Sequence, residues 1–386
     1  MNIFIFGDGA YVTGRKTHEY GIIFPAICEY VNQGKIVDKI FLFSNSKSGQ
    51  IAARKQINKI IYKTKVTLKI EYILGFKEIR KIIHNKYIKK PVCAFVCTPD
   101  HTHYKYIKEA LKYNLHTFSV KPFVLKNLHA LELVKIQKKN NLISYVDFHK
   151  RYDNQNILTR DNYLNNKIGN LLNINVSYSQ KKINPEVNFK KWAKETNILQ
   201  YLGVHYIDLV YFITKALPVR VMAVGQSNYL KSKLKYDIYD SIQCIIEWKE
   251  KNKNVFSQTI CVNWIDPNSS SAMSAQKYIM TGTLGNMSCE QKSRGFTITS
   301  DQEGINEINP DFCVNFSKNN KLRFNGYGIE SVQTFLIDVL NFNDKKISLK
   351  EIELSRPTFS QSLISTKIVE AAKISLKSKS NWIRIF

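Results

Sequence analysis

A lysine that directly precedes a proline is the first candidate for chemistry in this sequence. Lys121-Pro122 ends the apolar segment 116–120, whose pattern predicts a strand. An earlier apolar run, 92–97, predicts a buried strand that stops at Thr98-Pro99, and the segment 102–112 between them has the spacing of a helix. Strand, helix and strand in this order form a parallel crossover, whose ligands bind beyond the carboxyl ends of the strands. Thr98 and Lys121 are therefore predicted at a ligand-binding edge.

A second group of polar residues follows helical spacing within the apolar segment 196–214. Tyr201, His205 and Asp208 stand at i, i+4 and i+7, so on an α-helix they share one face. A phenol, an imidazole and a carboxylate can hold and transfer a proton, because histidine titrates near neutral pH. A single helical histidine is more often a packing residue, and spacing alone leaves this alternative open.

A glycine-rich turn after the predicted strand 2–6 indicates a nucleotide loop. The segment reads GDGAYVTGR, with Gly7 and Gly9 two residues apart and the next glycine displaced to position 14. The usual dinucleotide fingerprint has its third glycine three residues after the second. Gly7 can still form the tight turn, and Gly9 can let a pyrophosphate approach the backbone ahead of a helix predicted over 20–32. An ordinary strand-to-helix turn is the alternative.

The end of the second predicted strand bears on the choice between NAD and NADP. NAD-binding folds usually place an acid here to hold the ribose hydroxyls, but no Asp or Glu occurs between Asp38 and Glu71. The hydroxyls, amide and positive charge that stand there instead suit a 2′-phosphate, which gives a slight preference for NADP over NAD. A solvated turn is the alternative reading. The residues concerned are Ser44, Asn45, Ser46, Lys47 and Arg54.

Composition bounds the class of protein. The 386 residues are 44% hydrophobic, which predicts a large core and two domains. The 57 Lys and Arg against 31 Asp and Glu give a formal net charge of +26. Because the lysines are spread along the chain without a compact basic and aromatic block, we expect no dedicated nucleic-acid surface. An anionic small substrate is compatible with the charge.

The cysteines and the apolar runs indicate where the protein works. The seven cysteines are odd in number and show no CxxC spacing, which predicts a reducing, cytoplasmic setting and no metal site. No apolar run reaches the ~18 residues that a membrane span needs. The first residues enter a predicted strand without a basic and then apolar leader. We therefore expect a protein that is neither secreted nor held in a membrane.

Strands alternate with helices up to about residue 150. This order predicts a doubly wound parallel sheet, an α/β Rossmann domain that binds NAD(P), over residues 1–150. The final strand of the series runs into DFHKRY, 147–152, where His149 and Arg151 can bind hydroxyls or anions. The predicted strands are 2–6, 39–43, 68–73, 92–97, 116–120 and 142–146, and the predicted helices are 20–32, 76–84, 102–112 and 127–140.

Period-2 alternation after residue 150 predicts a second domain with a mostly antiparallel sheet. We expect residues 151–386 to form an α+β domain for substrate binding and oligomerisation, with its late helices packing back on the first domain. An open antiparallel face favours a homodimer or homotetramer. The predicted strands are 172–178, 220–226, 241–248, 255–263 and 276–281, and the predicted helices are 154–167, 331–342 and 355–375.

Taken together, four motifs resemble the Gfo/Idh/MocA family of nicotinamide-dependent oxidoreductases, which includes glucose-fructose oxidoreductase and myo-inositol dehydrogenase. The motifs are the irregular glycine loop, Thr98-Pro99 followed by His103, Lys121-Pro122, and GVHYID at 203–208. In that family, the lysine of a Glu-Lys-Pro motif and the histidine of a Gly-x-His-x-x-Asp helix face the sugar carbon that loses hydride. The likeness covers nearly the whole chain and implies that Lys121 and His205 are catalytic, with Tyr201 beside them.

The same resemblance implies the other contacts. The cofactor would be held by the glycine loop, the end of the second strand and the residues around the Thr-Pro dipeptide, and the substrate by residues of both halves. The implied cofactor residues are Gly7, Gly9, Tyr11, Thr13, Arg15, Ser44, Asn45, Lys47, Thr98, Pro99, His103 and Lys121. The implied substrate residues are His149, Arg151 and Asp208.

Three departures from the family pattern qualify this picture. Val120 stands where the family usually has Glu, so a carboxylate that positions or tunes the lysine is missing or comes from elsewhere. Tyr201 stands where many members have Asp, which puts a relay built on Asp and His in doubt. The third glycine is displaced, which resembles a distinct branch acting on nucleotide-linked or polysaccharide-precursor sugars.

The sequence therefore predicts an NAD(P)-dependent dehydrogenase acting on a ring carbon of a sugar, sugar nucleotide or cyclic polyol. Two alternatives stay open. A non-catalytic NAD(P)-binding regulator could use the same fold, and so could a redox-neutral, glycoside-cleaving relative with a tightly held cofactor.

Overall fold

The structure is a computed structural model that describes residues 1–15, 20–76, 78–83 and 88–385. By contacts the chain forms two compact units. The first contains Met1–Val124, Leu128–Tyr152 and Asp311–Ser362, and the second contains 125–127, 153–310 and the residues after 362. The division of functions between 1–150 and 151–386 stays a prediction.

The strands, in chain order, are β1 Asn2–Phe6, β2 Lys39–Ser44, β3 Ile70–Leu74, β4 Val92–Val96, β5 His116–Ser119, β6 Ser144–Val146, β7 Leu171–Lys181, β8 Leu217–Gln226, β9 Ser241–Lys249, β10 Val255–Asp266, β11 Ser274–Gly282, β12 Gly285–Glu290, β13 Thr297–Ser300, β14 Gly304–Glu307, β15 Val314–Lys318, β16 Lys321–Asn325 and β17 Ile383–Arg384.

The helices, in chain order, are α1 Ala10–Thr13, α2 Ile23–Asn32, α3 Lys47–Thr64, α4 Ile79–Ile83, α5 His103–Lys112, α6 Asn127–Lys139, α7 Asn154–Leu164, α8 Val204–Thr214, α9 Tyr229–Leu234, α10 Tyr327–Asn343, α11 Leu349–Ser355 and α12 Phe359–Lys377. Short 3-10 turns cover Asp100–Thr102, His149–Tyr152 and Ala193–Glu195, and π-helical turns cover Asn184–Asn188 and Leu199–Gly203.

The first unit is built on a parallel sheet. Its described strands follow the order β3-β2-β1-β4-β5-β6, with every neighbouring pair parallel. This is the Rossmann order, in which the chain reverses direction across the sheet between β1 and β4. Helix α10 belongs to the same unit and packs on the sheet, with the ring of Phe335 5.6 Å from Phe95 and 5.4 Å from Phe118. The predicted doubly wound sheet is confirmed.

The second unit is built on a mostly antiparallel sheet. Its described strands follow the order β12-β11-β7-β10-β9-β8-β17, and the pair β7–β10 is parallel. Burial alternates along the strands, as in β7, where Val176 is buried and Ser177 is exposed. The buried face carries α8, whose Tyr206 carbonyl accepts a hydrogen bond of 3.0 Å from Gln258. The predicted antiparallel character is confirmed.

Several predicted bounds shift in the structure. The helix predicted over 20–32 begins at Ile23, because a one-turn helix, α1, already starts after Gly9 and ends at Gly14, which has a left-handed φ of 71°. The helix predicted over 76–84 is described for Ile79–Ile83, and Lys77 and His84 lie outside the described residues. The exposed hairpins β13–β14 and β15–β16 escaped prediction, since neither shows a clear buried alternation.

Within the described part of the chain, every helix is too short or too polar to span a membrane.

Candidate functional site

The glycine turn after β1 is shaped for close approach to its backbone. Gly7 has a φ of 105°, and a Cβ placed on it would lie 2.2 Å from the carbonyl oxygen of Cys97. Any other residue would therefore be strained and would collide with the end of β4. No described atom lies within 4 Å of where a Cβ of Gly9 would stand. The backbone at Gly9 is thus open to a ligand such as a pyrophosphate.

An acid and a cation meet beside this turn at the first turn of α3. Arg15 Nη2 lies 3.1 Å from Asp8 Oδ1. A Cβ placed on Gly49 would lie within 2.9 Å of three side-chain atoms, Arg15 Nη1, Asp8 Oδ2 and Ser46 Oγ. Asp8 is 9% exposed, and its Oδ2 has no hydrogen-bond partner among the described residues. A buried acceptor without a partner is costly, which marks this oxygen as a site for a ligand donor.

The residues predicted after β2 divide into one buried and several exposed side chains. Ser44 is buried, and its Oγ has no partner within the described ranges. Asn45 and Lys47 are exposed. Ser46 caps α3 by accepting a hydrogen bond of 3.1 Å from the backbone of Gly49. The turn thus places two serine hydroxyls at the carboxyl end of β2, one buried and one capping α3, with the lysine in solvent, and their contact with a cofactor stays a prediction.

Two residues predicted to reach the cofactor phosphates have their hydroxyls engaged elsewhere. Tyr11, on α1, donates to Asp147 Oδ2, and its oxygen lies 3.3 Å from His149 Nδ1. Burial raises the pKa of Tyr11 well above its ordinary value, and the charge of Asp147 raises it further. Thr13 is fully buried and directs its hydroxyl to the carbonyl oxygens of Asp8 and Gly9 at 3.4 and 3.3 Å. Both hydroxyls therefore bind protein atoms in this structure.

The residues after β4 form a small, closed turn. Thr102 donates to the Thr98 hydroxyl at 2.8 Å and to the Pro99 carbonyl at 2.7 Å. His103 is fully buried, with Nδ1 2.7 Å from the carbonyl oxygen of Pro122 and Nε2 2.8 Å from that of Thr98. Both ring nitrogens lie within hydrogen-bond distance of a backbone carbonyl, and a neutral imidazole donates to one of them, so His103 lies between the two loops. The predicted contact of His103 with the cofactor stays a prediction.

Lys121 lies where the sequence predicts, beyond the end of β5. The neighbours of β5 in the sheet are β4 and β6. Asp100 comes after β4, and Asp147 comes after β6. Lys121 is half-buried. Burial lowers its pKa to about 8, while the negative charges of Asp100 and Asp147 limit the fall. Such an amine is mostly charged at neutral pH yet able to release its proton, which suits acid–base chemistry.

The turn after β6 carries a buried polar cluster. Asp147 is 1% exposed, and its Oδ1 accepts a hydrogen bond of 2.9 Å from Ser331 of α10. His149 Nδ1 lies 3.5 Å from the same oxygen, and its ring stacks 5.7 Å from Tyr327. Burial lowers the pKa of His149, and the charge of Asp147 works against that fall. Asp147 was missing from the sequence-based site, although it opens the polar run 147–152.

Arg151, predicted to contact substrate, is buried instead. It is 4% exposed, and its Nη1 donates to Gln361 Oε1 at 2.5 Å, within the first unit. A buried guanidinium with a protein acceptor is partly satisfied by the fold. Arg151 therefore contributes to the structure of this turn.

The second unit holds the predicted proton-handling group. His205 is the second residue of α8 and is 3% exposed, and Asp208 is equally buried one turn later. Tyr201 lies in the π-helical turn that precedes α8, so it belongs to a different type of turn from His205 and Asp208, and the predicted shared face stays a prediction. Its ring instead packs 5.0 Å from Phe189 and 5.9 Å from Trp264.

The residues thus form two groups, each within one unit. In the first unit the carboxyl edge of the parallel sheet brings together Gly7, Gly9, Asp8 and Arg15 on one side and Asp100, Lys121, Asp147, His149 and Tyr11 on the other. In the second unit α8 and its preceding turn carry Tyr201, His205 and Asp208.

The first group fits a dinucleotide. Gly7 makes a turn that a side chain would block, Gly9 leaves its backbone open, and Asp8 offers an acceptor that lacks a partner within the described part of the chain. These features stand at the carboxyl ends of β1 and β2, beside the point where the strand order reverses, which is where dinucleotides bind in such sheets. The fold and the site thus define a dinucleotide-binding protein of the Rossmann class.

Comparison with known families gives the narrower assignment. Residues 44–148 match the oxidoreductase family with an NAD-binding Rossmann fold, GFO_IDH_MocA, and residues 160–288 match the GFO/IDH/MocA C-terminal domain. The two matches together span more than half of the chain. The protein belongs to the Gfo/Idh/MocA oxidoreductase family, as its motifs predicted.

A known relative matches part of the chain. The protein YteT of Bacillus subtilis (strain 168), which carries a provisional oxidoreductase name, is 26% identical over 146 residues. This match covers 37% of the present chain and 34% of YteT, so the aligned region spans about a third of that relative.

Solved structures match the whole chain. Scyllo-inositol dehydrogenase from Lactobacillus casei, solved with NAD(H) and scyllo-inositol, has a TM-score of 0.69 at 16% identity, with 100% of this chain and 99% of that chain covered. A myo-inositol dehydrogenase from Corynebacterium glutamicum has a TM-score of 0.67 at 14% identity, with 100% and 99% covered. At these identities the likeness shows the fold.

Proposed function

We propose that the protein is a nicotinamide-dependent oxidoreductase that transfers hydride between its cofactor and a ring carbon of a sugar, sugar nucleotide or cyclic polyol. The observation that carries the proposal is Lys121, which stands at the ligand-binding edge of a Rossmann sheet with a pKa lowered to about 8. Membership of an NAD-binding oxidoreductase family supports it. The inositol substrates of the structural neighbours suggest the polyol class.

The proposed roles follow from the chemistry of each side chain. The bound nicotinamide supplies the hydride acceptor or donor. The ammonium of Lys121 donates a hydrogen bond to the reacting oxygen and stabilises its negative charge as hydride leaves or arrives. His205 accepts or returns the hydroxyl proton, with Tyr201 and Asp208 as substrate contacts. Thr98 and Pro99 border the cofactor through the turn that follows β4.

We propose NAD as the cofactor, in place of the slight preference for NADP that the sequence suggested. That preference came from the lack of an acid after β2. Asp8 brings a carboxylate from the glycine turn to the first turn of α3, where a Cβ placed on Gly49 would lie within 2.9 Å of both Asp8 Oδ2 and Ser46 Oγ, and this Oδ2 has no partner within the described ranges. A ribose hydroxyl can donate to this oxygen, and the carboxylate charge disfavours a 2′-phosphate there, although Arg15, 3.1 Å from Oδ1, partly offsets that charge.

His149 remains a candidate substrate contact. It lies beside Asp147 and near enough to Lys121 for the lysine charge to lower its pKa. A neutral imidazole there can accept from or donate to a substrate hydroxyl. Arg151 also stays a proposed substrate contact, because its bond to Gln361 uses one of the five N–H donors of the guanidinium.

A regulator that binds the cofactor without catalysis is the second candidate function. The observation in its favour is Val120, which stands where the family usually has the acid before the catalytic lysine. Under this alternative Lys121 would be a packing or anion-binding residue.

The test is a spectrophotometric screen with purified protein. NAD and NADP are each offered with inositols, free sugars and nucleotide sugars, and the near-ultraviolet absorbance of the reduced nicotinamide is followed. We expect NAD-dependent oxidation of at least one polyol or sugar, and its loss in Lys121→Met. Tight cofactor binding without turnover on any member of the panel contradicts the dehydrogenase and supports the regulator.

We further propose a homodimer or homotetramer assembled through the open face of the second sheet. That face presents Ile245 of β9 beside Thr259 of β10, and Cys261 of β10 is exposed. Ile245→Arg would place a charge in such an interface, so it should reduce the mass measured by light scattering and leave the melting temperature nearly unchanged. A wild type that is monomeric at micromolar concentration contradicts this assembly.

The predicted cytoplasmic location stays a prediction.

A further inference from the structure

The residue before Lys121 lacks the carboxylate that its family motif usually supplies. Val120 occupies that position at the end of β5, with its backbone N–H donating to the Val96 carbonyl at 3.0 Å. An apolar side chain there can neither attract nor orient an ammonium. A half-buried lysine without a nearby negative charge loses its proton more easily and gains rotational freedom. The charge that steadies Lys121 must therefore come from another element.

The next strand in the sheet places an acid beside the lysine. Ser119, two residues before Lys121, pairs with Val146, and the N–H of Asp147 donates to the Ser119 carbonyl at 2.8 Å. This pairing sets Asp147 across from Val120, the residue before Lys121, and the charge of Asp147 acts on Lys121 to raise its pKa. Asp147 is almost fully buried, so its charge is poorly screened by water.

Hydrogen bonds keep this buried carboxylate in place. Ser331 of α10 donates to Oδ1 at 2.9 Å, and Tyr11 of α1 donates to Oδ2. Both donors are neutral, so they orient the carboxylate without cancelling its charge. A buried charge without a cation would be costly, and these two bonds only partly offset that cost. A cationic partner is therefore expected close by.

We propose that Asp147 is the positioning residue that holds Lys121 charged and fixed, in place of the acid missing at position 120. The inference rests on the proposed function, because it assigns a purpose to Lys121. Asp147 directly follows β6, the strand next to β5. The negative charge that the family motif usually has just before the lysine would thus come from the neighbouring strand.

The other groups that face Lys121 fit this assignment. Asp100, in the turn after β4 on the other side of β5, also raises the pKa of Lys121, and more strongly than Asp147 does. Burial lowers the pKa of His149, the charge of Asp147 opposes that fall, and the charges of Lys150 and Lys121 add to it, which favours a neutral imidazole. The pKa of Tyr11 is raised, so its hydroxyl stays protonated. Asp100 and Asp147 both act on Lys121 to raise its pKa, which supports the protonated lysine.

A structural role for Asp147 makes a different prediction. If Asp147 serves to anchor α10 and α1, then removing its bond to Ser331 should have effects similar to removing its charge. Ser331→Ala deletes that bond and leaves the carboxylate, whereas Asp147→Asn keeps the shape and deletes the charge. The two variants therefore form a matched pair.

The experiment measures the titration of Lys121 in the protein without cofactor. Trace acetylation with acetic anhydride across a pH series, read by mass spectrometry of the peptide containing Lys121, reports the fraction of neutral amine. We expect Asp147→Asn to lower the apparent pKa of Lys121, so that labelling at pH 7 rises about fivefold for a shift of one unit. Ser331→Ala should titrate as the wild type does. Equal titration of Asp147→Asn and wild type overturns the proposal.

A rescue variant completes the test. Adding Val120→Glu to Asp147→Asn returns a carboxylate to the usual motif position and should restore the wild-type titration. If Asp147→Asn fails to fold, as seen by circular dichroism, the double variant decides: a folded protein whose Lys121 still titrates lower than in the wild type overturns the proposal. Because labelling needs no substrate, failure of the activity screen and failure of this inference are distinguishable.

Discussion

The candidate residues of the two units lie in contrasting surroundings. Lys121 is flanked by charged and polar side chains from neighbouring strand ends, among them Asp100, Asp147 and His149. Tyr201 packs among the rings of Phe189, Trp192 and Trp264 in a π-helical turn ahead of α8. In the first region charge sets the properties of the candidate residue, and in the second ring packing sets its position. Substitutions that change charge should therefore act most strongly in the first region.

The largest effect is expected at Lys121. Lys121→Met keeps the length of the side chain but removes the charged donor, which should cost about 3 kcal/mol of transition-state stabilisation, or at least about a hundredfold in kcat. In the reducing direction the wild-type rate should fall as pH rises through about 8, because the amine loses its proton there. Initial rates across pH, with cofactor affinity measured by fluorescence, check both points.

Lys126→Met is the matched control, since Lys126 is exposed a few residues along the chain. It should leave the rate and its pH dependence unchanged. Near wild-type turnover in Lys121→Met would remove the lysine from the mechanism and would make the charged edge of the sheet a cofactor site alone.

The next largest effect is expected at His205. His205→Asn should slow oxidation about a hundredfold and flatten the rise of rate with pH, because general-base catalysis contributes about 10²–10⁴. Asp208→Asn added to His205→Asn should cost little more if the two act as one unit. Steady-state kinetics of the two single variants and the double variant measure this coupling. Fully additive losses would make Asp208 an independent contact, and an unchanged pH profile in His205→Asn would leave it as a packing residue.

A smaller effect is expected at Asp8. Asp8→Asn should weaken NAD binding about tenfold, because a buried charged acceptor for a ribose hydroxyl is lost, and should narrow the preference for NAD over NADP. Titration of each cofactor by calorimetry gives both affinities. Asp38→Asn, at the amino end of β2, serves as the control and should leave them unchanged. A wild type that binds NADP more tightly than NAD would contradict the proposed role of Asp8.

The smallest effect is expected at Tyr201. Tyr201→Phe preserves the ring that packs on Phe189 and Trp264 and removes the hydroxyl, so kcat should fall about threefold or less if the ring position matters most. Tyr201→Ala, which also empties the ring position, should cost more through lost packing. A loss near a hundredfold in Tyr201→Phe would show a catalytic hydroxyl and would erase the contrast between the two regions.

The sequence predicted the first region well because topology places its residues. Alternation of strands and helices fixes a parallel sheet, and a parallel sheet brings the residues after β4, β5 and β6 to one edge whatever their separation along the chain. Thr98, Lys121 and His149 were found in this way. Asp147 was missed because it directly follows an apolar strand and no motif singles it out. The sequence did offer a signal for Asp8, because it places an acid between the two glycines. A negative charge is unexpected beside a loop that binds a negatively charged pyrophosphate, so this acid could have been assigned to another part of the cofactor.

The second region was predicted less well because its geometry depends on one turn. Tyr201 and His205 are four residues apart, and residues with this spacing lie on the same face of an α-helix. Tyr201 lies in the π-helical turn Leu199–Gly203 and His205 lies in α8, and apolar periodicity does not distinguish the two turn types. Arg151 shows a related limit: residue type suggested a ligand contact but could not show that Gln361 binds the same side chain.

The bridge that His103 makes has a consequence for redesign of the pocket. Its ring nitrogens lie within hydrogen-bond distance of the carbonyl oxygens of Thr98 and Pro122. A displacement of the turn after β4 should therefore also displace the turn after β5. Lengthening the first turn to admit a bulkier substrate would displace Lys121, although no residue near the lysine had been changed. Remodelling aimed at new substrates should therefore leave these two turns intact and alter loops that His103 does not tie together.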